Sequence, residues 1–560
     1  MIIFRPRDLT TTPALTRANG VSFVFKVRLG CIIAVVAACY ANGFGGFWLG
    51  DDFANITSFY NRELEGHLWS DMLAYFATGL SPVGSMYRPL SMLSLAANYA
   101  AAGVDYAGWY LTSFTVHLAN VALVALVVHR LALLCKSDGS WSAPLAALLF
   151  GLAPTLAEGV YWQSARADAW VTLLSLLAVR AWIGSGRSAW LSLPPLTVAL
   201  AFKESAALLP VQLALLAYGL PGRRLRAQWA SLLFAFTLMA AYLGWRAYLF
   251  GHVWSVYGAP SAADTQTNWP GFLAAFTSVA SWWTELMAGS STAAVVYLCA
   301  LGAVLATSVV AVTDSRERAW TALALLLAGG GMAFATVLNL GGLPASGEGG
   351  RLAYGPLAWL ALAIGVSCAR ARVGTGTAWE ARIRVVFLAS SIVACSVGAW
   401  ILTTIMGSAR GAQDNMRLLT HGLPEWAATH HGLTLLIVPD HVGPIVFGRN
   451  GHGGLVMPPF QSRPLMHRVL PTLPAEIPAR YGQLNGGLAT RLAEEPPPRS
   501  STDALDRLRR PAVARWPDYY ACWSQQRLQI LEMTVPRPVS ERVWSGDLLE
   551  AVRMTCGPMS

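Results

Sequence analysis

Two adjacent acids, Asp51 and Asp52, directly follow an apolar run that ends at Gly50. A carboxylate in such a place can take the proton from a substrate hydroxyl group. An ionisable group at a bilayer boundary is costly unless it is paired or faces water, so the pair is a candidate functional site. The alternative is that both acids simply end a helix in the head-group layer. The polar residues elsewhere in the chain bear on this choice.

The composition is that of a protein with many membrane spans. Of the 560 residues, 54% are hydrophobic and only 12% are charged, and the mean hydropathy is +0.45. The 22 Trp and 17 Tyr suit the interfacial belts of a bilayer. The net charge is +10, but the arginines fall in short clusters between apolar runs, as they do in cytoplasmic loops of membrane proteins. We therefore exclude nucleic acid as a partner.

The distribution of charge among the loops predicts the topology. The basic segment 1–27 is expected in the cytoplasm, and about eleven spans follow within residues 28–406. Basic loops then fall inside, and loops of mixed charge fall outside with Asp51. The apolar stretches after Tyr87 and at 269–288 are interpreted as interfacial helices. The predicted spans lie at about 28–48, 107–131, 141–162, 167–183, 188–202, 204–220, 228–250, 292–313, 319–340, 352–370 and 384–406.

Residues 407–560 are polar and rich in proline turns, which predicts a small external α/β domain. Its clearest strand is 433–438, and 504–509 is expected to be helical. Cys522 and Cys556 are its only cysteines, and an oxidising outer compartment favours a disulfide between them. The other six cysteines lie in or beside apolar runs without metal-ligand spacing, so no structural zinc site is predicted.

Further polar residues recur in the outer segments and their flanking helices. They are Arg88 within 87–90; His117 and Asn120 in the next span; Glu158, Arg166 and Asp168; Lys203 and Glu204; and Glu348, Arg351 and Tyr354. Their order and spacing resemble the GT-C membrane glycosyltransferases, in the protein O-mannosyltransferase-like branch that carries tetratricopeptide repeats, and its bacterial relatives. The resemblance covers about three quarters of the chain, which has no such repeats. The family pattern places Glu directly before Arg in the last outer loop, whereas two glycines separate Glu348 from Arg351 here.

The resemblance implies a polytopic α-helical GT-C-like fold in a bacterial inner membrane. It also implies transfer of a sugar from a polyprenyl phosphate to an acceptor hydroxyl at the outer face. That reaction needs a base for the acceptor proton and cations for the leaving phosphate. By resemblance Asp51 is the base and Asp52 its helper. The phosphate-binding candidates are Arg88, Arg351, Lys203 and Arg166, and the acceptor or positioning candidates are Glu158, Asp168, Glu204, His117 and Tyr354.

Each single assignment has a structural alternative. Arg166 and Lys203 can be snorkelling interfacial cations, and His117 can be a helix-packing histidine. The chain as a whole can be a lipid-linked sugar transporter or flippase, or a non-catalytic envelope-assembly protein. A transporter usually places its charges at mid-membrane in repeated halves, whereas here they cluster in outer loops and no repeat is visible.

The expected partners are the bilayer, the lipid-linked donor, and a glycan, lipid or protein acceptor. No cofactor is expected, and a requirement for a divalent metal is left open. The sequence does not identify the sugar, the length of the lipid, the acceptor or the oligomeric state.

Overall fold

The computed structural model describes most of the chain. The described ranges are 22–79, 86–184, 186–221, 224–251, 253, 291–312, 315–340, 349–371, 378–442, 445–448, 451–477, 517–535 and 541–557. The predicted interfacial helix at 269–288, the predicted helix at 504–509 and Glu348 lie outside these residues, as does most of the N-terminal segment.

Helices dominate the described chain. They are α1 Phe23–Tyr40, α2 Asp51–Leu64, α3 Leu68–Thr78, α4 Pro89–Ala102, α5 Tyr106–Leu134, α6 Ser142–Gly151, α7 Glu158–Tyr161, α8 Ala167–Trp182, α9 Leu193–Phe202, α10 Leu209–Gly219, α11 Arg224–Phe250, α12 Ser291–Val312, α13 Arg316–Leu340, α14 Tyr354–Ser367, α15 Ala378–Thr429 and α16 Glu541–Cys556. Short 3-10 turns join them at Ala41–Gly45, Pro154–Ala157, Gln163–Ala165, Gly186–Ser192, Glu204–Leu208, Gly350–Ala353, His452–Val456 and Pro474–Glu476.

Six helices of the described chain are long and apolar enough to cross a membrane. They lie at Phe23–Gly45, Tyr106–Leu134, Gln228–Phe250, Thr292–Val312, Arg316–Ala335 and Ala381–Thr429. A seventh candidate is the pair Ser142–Gly151 and Pro154–Tyr161, which is bent by 60°. Every predicted span coincides with a helix or a short group of helices. Several of these have only 14 to 16 residues, which reach about 21–24 Å against a hydrocarbon core of about 30 Å. The count of eleven spans therefore stays a prediction.

Three helices fill the predicted outer segment between the first two long spans. Helix α2 begins at Asp51, so both acids lie in its first turn, where negative charge complements the helix dipole. Helix α4 begins at Pro89, a position at which proline removes no helical hydrogen bond. Its 14 residues are too few to cross a bilayer, in keeping with the interfacial helix predicted there.

Helix α15 connects the apolar core to the C-terminal region. It has 52 residues, or about 78 Å of length, far more than a bilayer requires. The domain boundary predicted at residue 407 falls inside it. The helix continues past this position to Thr429.

The C-terminal region contains a four-stranded mixed sheet with the strand order β6-β3-β7-β8. The strands of the chain are β1 Ser137–Asp138, β2 Arg370–Ala371, β3 Thr434–Ile437, β4 His441–Val442, β5 Ile445–Val446, β6 Val469–Thr472, β7 Tyr519–Ser524 and β8 Gln529–Met533. Strand β3 lies within the predicted strand 433–438, is buried along its length, and runs parallel to both neighbours. A disulfide joins Cys522 of β7 to Cys556 of α16, with Cα atoms 6.3 Å apart.

Candidate active site

The acid pair consists of two carboxylates in different surroundings. Asp51 is half-buried, whereas Asp52 is buried. One carboxylate oxygen of Asp52 accepts hydrogen bonds from the backbone N–H and the hydroxyl of Ser164, at 2.8 and 2.6 Å. The other oxygen accepts from the N–H of Leu49 at 3.3 Å. The two adjacent acids therefore differ in role: Asp52 is built into the structure, and Asp51 is the more accessible of the two.

The surroundings of Asp52 change the pKa of its carboxyl group. Helix α2 lies outside the membrane-spanning segments, and burial raises the pKa of Asp52 to about 7. The hydrogen bonds from Ser164 and Leu49 oppose this rise, and the nearby charge of Asp51 adds to it. Asp52 therefore changes its charge near neutral pH, and the three hydrogen bonds from Leu49 and Ser164 favour its ionised form.

The partner of Asp52 is the 3-10 turn Gln163–Ala165, which lies between Trp162 and Arg166. The amide of Asn55 also donates to the hydroxyl of Ser164, at 3.0 Å. Two residues of α2, Asp52 and Asn55, thus bind this turn, although about a hundred residues separate the helix from the turn in the chain. Arg166 directly follows this turn, and it lies near enough to Asp52 for the charge of that carboxylate to affect its pKa.

Arg166 is a buried cation with unused donors. It is 1% exposed, its Nη2 donates to the carbonyl oxygen of Ser94 at 2.9 Å, and its guanidinium lies 5.5 Å from the ring centre of Trp109. Within the described chain, its Nε and Nη1 have no hydrogen-bond partner. Burial lowers the pKa of Arg166 to about 9 and the charge of Asp52 opposes this, so the group stays charged at neutral pH. A snorkelling cation keeps its head in water, so the snorkelling alternative for Arg166 is wrong.

Arg351 is paired with Glu158. One oxygen of Glu158 accepts from the backbone N–H groups of Gly349 and Arg351, both at 3.0 Å, and the other accepts from the Arg351 guanidinium. The same guanidinium lies 4.6 Å from the ring centre of Trp162. Glu158 thereby binds both the backbone at the start of the turn Gly350–Ala353 and the side chain of Arg351 within that turn.

The two remaining predicted cations are also paired. Lys203 Nζ contacts both carboxylate oxygens of Asp168, at 2.7 and 2.6 Å, and this pair is largely buried. Arg88 makes a two-point contact with Glu204, in which Nε lies 2.9 Å from one oxygen and Nη2 contacts the other. Because Lys203 and Glu204 are consecutive residues, the two pairs are neighbours. The need to neutralise a departing phosphate predicts that Arg88 and Arg351 line one cavity with Asp51, and this stays a prediction.

His117 and Tyr354 meet inside the helix bundle. Nδ1 of His117 contacts the Tyr354 hydroxyl, and Nε2 lies 3.2 Å from the carbonyl oxygen of Gly151. Both side chains are fully buried. Since both ring nitrogens are engaged within the protein, the geometry is that of the packing histidine named as the alternative.

Arg246 of α11 is a buried cation that the sequence analysis missed. It is 1% exposed, and its Nη1 lies 3.4 Å from the Tyr242 hydroxyl. The Tyr242 ring in turn packs 6.0 Å from the ring of Tyr87, beside Arg88. The sequence analysis could have identified Arg246 from its position inside the apolar run 228–250, because a charge within such a run marks a candidate functional residue.

Clusters that could hold a metal were searched for over the same described ranges. No group of three or more His, Cys, Asp or Glu residues is placed to bind a metal ion there.

Comparisons with known proteins give limited information. No family model matches the chain. No curated protein matches it. Two solved structures are similar: the crystal structure of ArnT from Cupriavidus metallidurans bound to undecaprenyl phosphate, and the cryo-EM structure of the arabinofuranosyltransferase AftD from Mycobacteria.

The similarity to ArnT has a TM-score of 0.41 and 12% identity over 76% of this chain and 84% of that one. The similarity to AftD has a TM-score of 0.40 and 14% identity over 74% of this chain and 29% of that one. The chain therefore spans less than a third of AftD. Likenesses at these scores carry no argument about function.

Proposed function

We propose that this protein is a membrane glycosyltransferase that transfers a sugar from a polyprenyl phosphate to an acceptor hydroxyl at the outer face of a bacterial inner membrane. One observation carries the proposal: Asp52 binds the Ser164 turn, which precedes a buried arginine whose Nε and Nη1 have no hydrogen-bond partner among the described residues. A base and an anion-binding cation are the two groups that the reaction requires.

Asp51 acts as the base. As the acceptor oxygen bonds to the sugar carbon, the acceptor O–H proton moves to the Asp51 carboxylate. The bond between that carbon and the phosphate oxygen breaks, and the phosphate leaves with the electron pair. Asp51 suits this role because its side chain is only half-buried, whereas Asp52 is buried and its hydrogen bonds hold Leu49 and Ser164 in place.

Arg166 binds the departing phosphate. Leaving a buried donor unpaired costs about 1–3 kcal/mol, and phosphate oxygens satisfy guanidinium donors in pairs. The Nε and Nη1 donors of Arg166 lie on one charged group and are available to phosphate oxygens. The chemistry of this side chain therefore fits an anionic ligand better than a structural role.

Arg88, Lys203 and Arg351 complete the phosphate-binding set. Their carboxylate partners hold them in position before the donor arrives. A guanidinium has five N–H donors, so an arginine oriented by a carboxylate can still contact a phosphate. Glu158, Asp168 and Glu204 are then positioning residues for the cations, and His117 and Tyr354 support the helices beneath them.

Mass spectrometry of cell-envelope glycans tests this function. A strain that lacks the protein is compared with strains that carry the wild type or Asp51→Asn at equal level. We expect one glycan to lose a single sugar in the deletion strain, to regain it with the wild type, and to stay truncated with Asp51→Asn. Identical profiles in all strains would refute the proposal. Restoration by Asp51→Asn would instead favour the flippase or assembly alternative, because neither needs a base.

A further inference from the structure

The backbone that leads into the acid pair lies against the C-terminal region of the chain. We call residues 445–448 and 451–461 the docking segment. The N–H of Gly50 donates to the carbonyl oxygen of Phe447 at 2.9 Å. Gly50 has φ 48° and ψ −126°, a conformation that residues with a side chain rarely adopt. The residue directly before Asp51 is therefore held in an unusual conformation by a contact with the docking segment.

Two glycines of the docking segment make the approach close enough for this contact. A Cβ atom at Gly451 would overlap the carbonyl oxygen of Gly50. A Cβ atom at Gly454 would lie 2.7 Å from the carbonyl oxygen of Phe53. These positions lie on either side of the acid pair, so the docking segment touches the backbone just before and just after the two acids. The rings of Phe53 and Phe460 close the same contact, with centres 4.5 Å apart.

Helix α15 contacts residues 45–47, which directly precede this part of the chain. Nη2 of Arg417 donates to the carbonyl oxygens of Gly45 and Gly46, at 3.0 and 2.7 Å, and its guanidinium lies 5.2 Å from the ring centre of Phe47. Since α15 leads directly to the sheet of the C-terminal region, residues 45–53 are held by that region at several successive points.

The two acids are thus positioned by different parts of the molecule. Asp52 is fixed by the Ser164 turn within the helical core. The direction of Asp51 follows from the backbone at Gly50, which the docking segment fixes. A displacement of about 1 Å in a reacting group can cost about a hundredfold in rate, so this backbone contact is large enough to control activity.

We infer that the docking segment is a positioning element of the acid pair, so that the C-terminal region belongs to the catalytic unit. The effect on catalysis rests on the proposed function, whereas the structural coupling between the docking segment and residues 50–53 does not. Gly451, Gly454 and Phe447 are its positioning residues, and none of them contacts substrate in this account.

The chain offers a matched set of variants to test the inference. Gly451→Ala and Gly454→Ala add a methyl group where the backbone of residues 50–53 leaves no room. Gly453→Ala adds the same group in the same turn, where nothing lies within 4 Å. We expect the first two variants to lower kcat for sugar transfer about 10- to 100-fold with an unchanged KM for the donor, and Gly453→Ala to match the wild type.

Hydrogen exchange followed by mass spectrometry supplies a readout that does not depend on activity. We expect faster exchange in the peptide that covers residues 47–53 for Gly451→Ala and Gly454→Ala, with the helical core unchanged. Wild-type exchange there in both variants would overturn the inference, as would a kcat at the wild-type level. If the wild type itself transfers no sugar while exchange responds as expected, the proposed function fails and the coupling stands. If Gly451→Ala does not fold, the milder clash in Gly454→Ala decides.

Discussion

The charged side chains of the candidate site form two groups. In the first, every cation contacts a carboxylate: these paired charges are Arg88–Glu204, Lys203–Asp168 and Arg351–Glu158. In the second group, Asp52 receives only neutral donors and Arg166 contacts only a carbonyl oxygen and a ring. Neither residue of this second group has an opposite charge within ion-pair distance among the described residues.

The difference between the two groups indicates which charged residues support the structure and which are candidates for the reaction itself. A buried ion pair neutralises itself, so its removal as a unit is often tolerated, while the loss of one partner is costly. A buried charge that contacts no counter-charge has a desolvation cost that its neutral hydrogen-bond partners offset only in part, and such groups concentrate at functional sites. The paired charges therefore hold their cations in fixed positions around the candidate site, and we propose that Asp51 takes the proton and that Arg166 makes the main contact with the phosphate.

The largest expected effect is at the acid pair. Asp51→Asn retains the size of the side chain but removes its charge, so we expect sugar transfer to fall about a hundred to ten thousand fold with donor binding retained. Asp52→Asn should lower activity less, through a loosened Ser164 turn. Turnover in membranes, at confirmed equal protein levels, measures both. A total loss in Asp52→Asn alone would reverse the two assignments.

The next effect is at the unpaired arginine. Arg166→Gln removes the phosphate contact, and we expect transfer to fall about a hundred to a thousand fold. Because the wild-type guanidinium is buried with unused donors, the unfolding temperature should not fall. Arg62→Gln, which breaks a half-exposed pair with Asp71, is the control and should leave transfer unchanged. Normal transfer by Arg166→Gln would remove this residue from the site.

The paired charges should respond in stability as well as in sugar transfer, because their cations also belong to the proposed phosphate-binding set. Lys203→Met leaves Asp168 buried without its partner, and we expect a loss of about 3–5 kcal/mol in the free energy of unfolding. The double variant Lys203→Met/Asp168→Leu should recover most of that loss. Thermal unfolding in detergent measures the cycle. Equal losses in the single and double variants would show that the pair is not the unit we describe.

A smaller effect is expected in the pH profile. The ionised form of Asp52 accepts the Ser164 and Leu49 hydrogen bonds, so activity should rise with pH through about 7, the raised pKa of this group. Ser164→Ala removes a donor that lowers this pKa, so the midpoint should move to higher pH. Ser70→Ala is the control, because the hydroxyl of Ser70 donates to the carbonyl oxygen of His67. A midpoint that stays in place, or moves to lower pH, would contradict the role of Ser164.

The burial of Asp52 also predicts how the free energy of unfolding changes with pH. Its folded pKa lies above the ordinary value of 3.8. Its contribution to the free energy of unfolding is therefore fully present below pH 3.8 and is lost as pH rises through about 7. Asp52→Asn should flatten this part of the stability profile, as chemical unfolding at several pH values can show.

Much of the framework could be predicted from the sequence, because apolar periodicity and loop charge are local signals. The predicted spans coincide with helices, and strand β3 lies within an apolar run that Pro439 ends. The partners of the charged residues could not be predicted in this way. Arg166 is buried by Trp109 and by the carbonyl of Ser94, which come from helices far away in the chain.

The difference between Asp51 and Asp52 was also beyond the sequence. Two consecutive helical residues point in directions about 100° apart, and only the packing of α2 decides which one is buried. The predicted boundary at 407 shows a related limit. Composition reports the environment of a helix such as α15, and it does not report where the helix ends.

The most direct test is sugar transfer by the purified protein in proteoliposomes. The donor is an extract of polyprenyl-phosphate sugars labelled in the sugar, and the acceptor is an envelope fraction from the deletion strain. We predict that the wild type moves label to the acceptor and releases polyprenyl phosphate, and that Asp51→Asn does neither. Transfer from a nucleotide sugar in the absence of lipid-linked donor, or equal transfer by both proteins, would contradict the account.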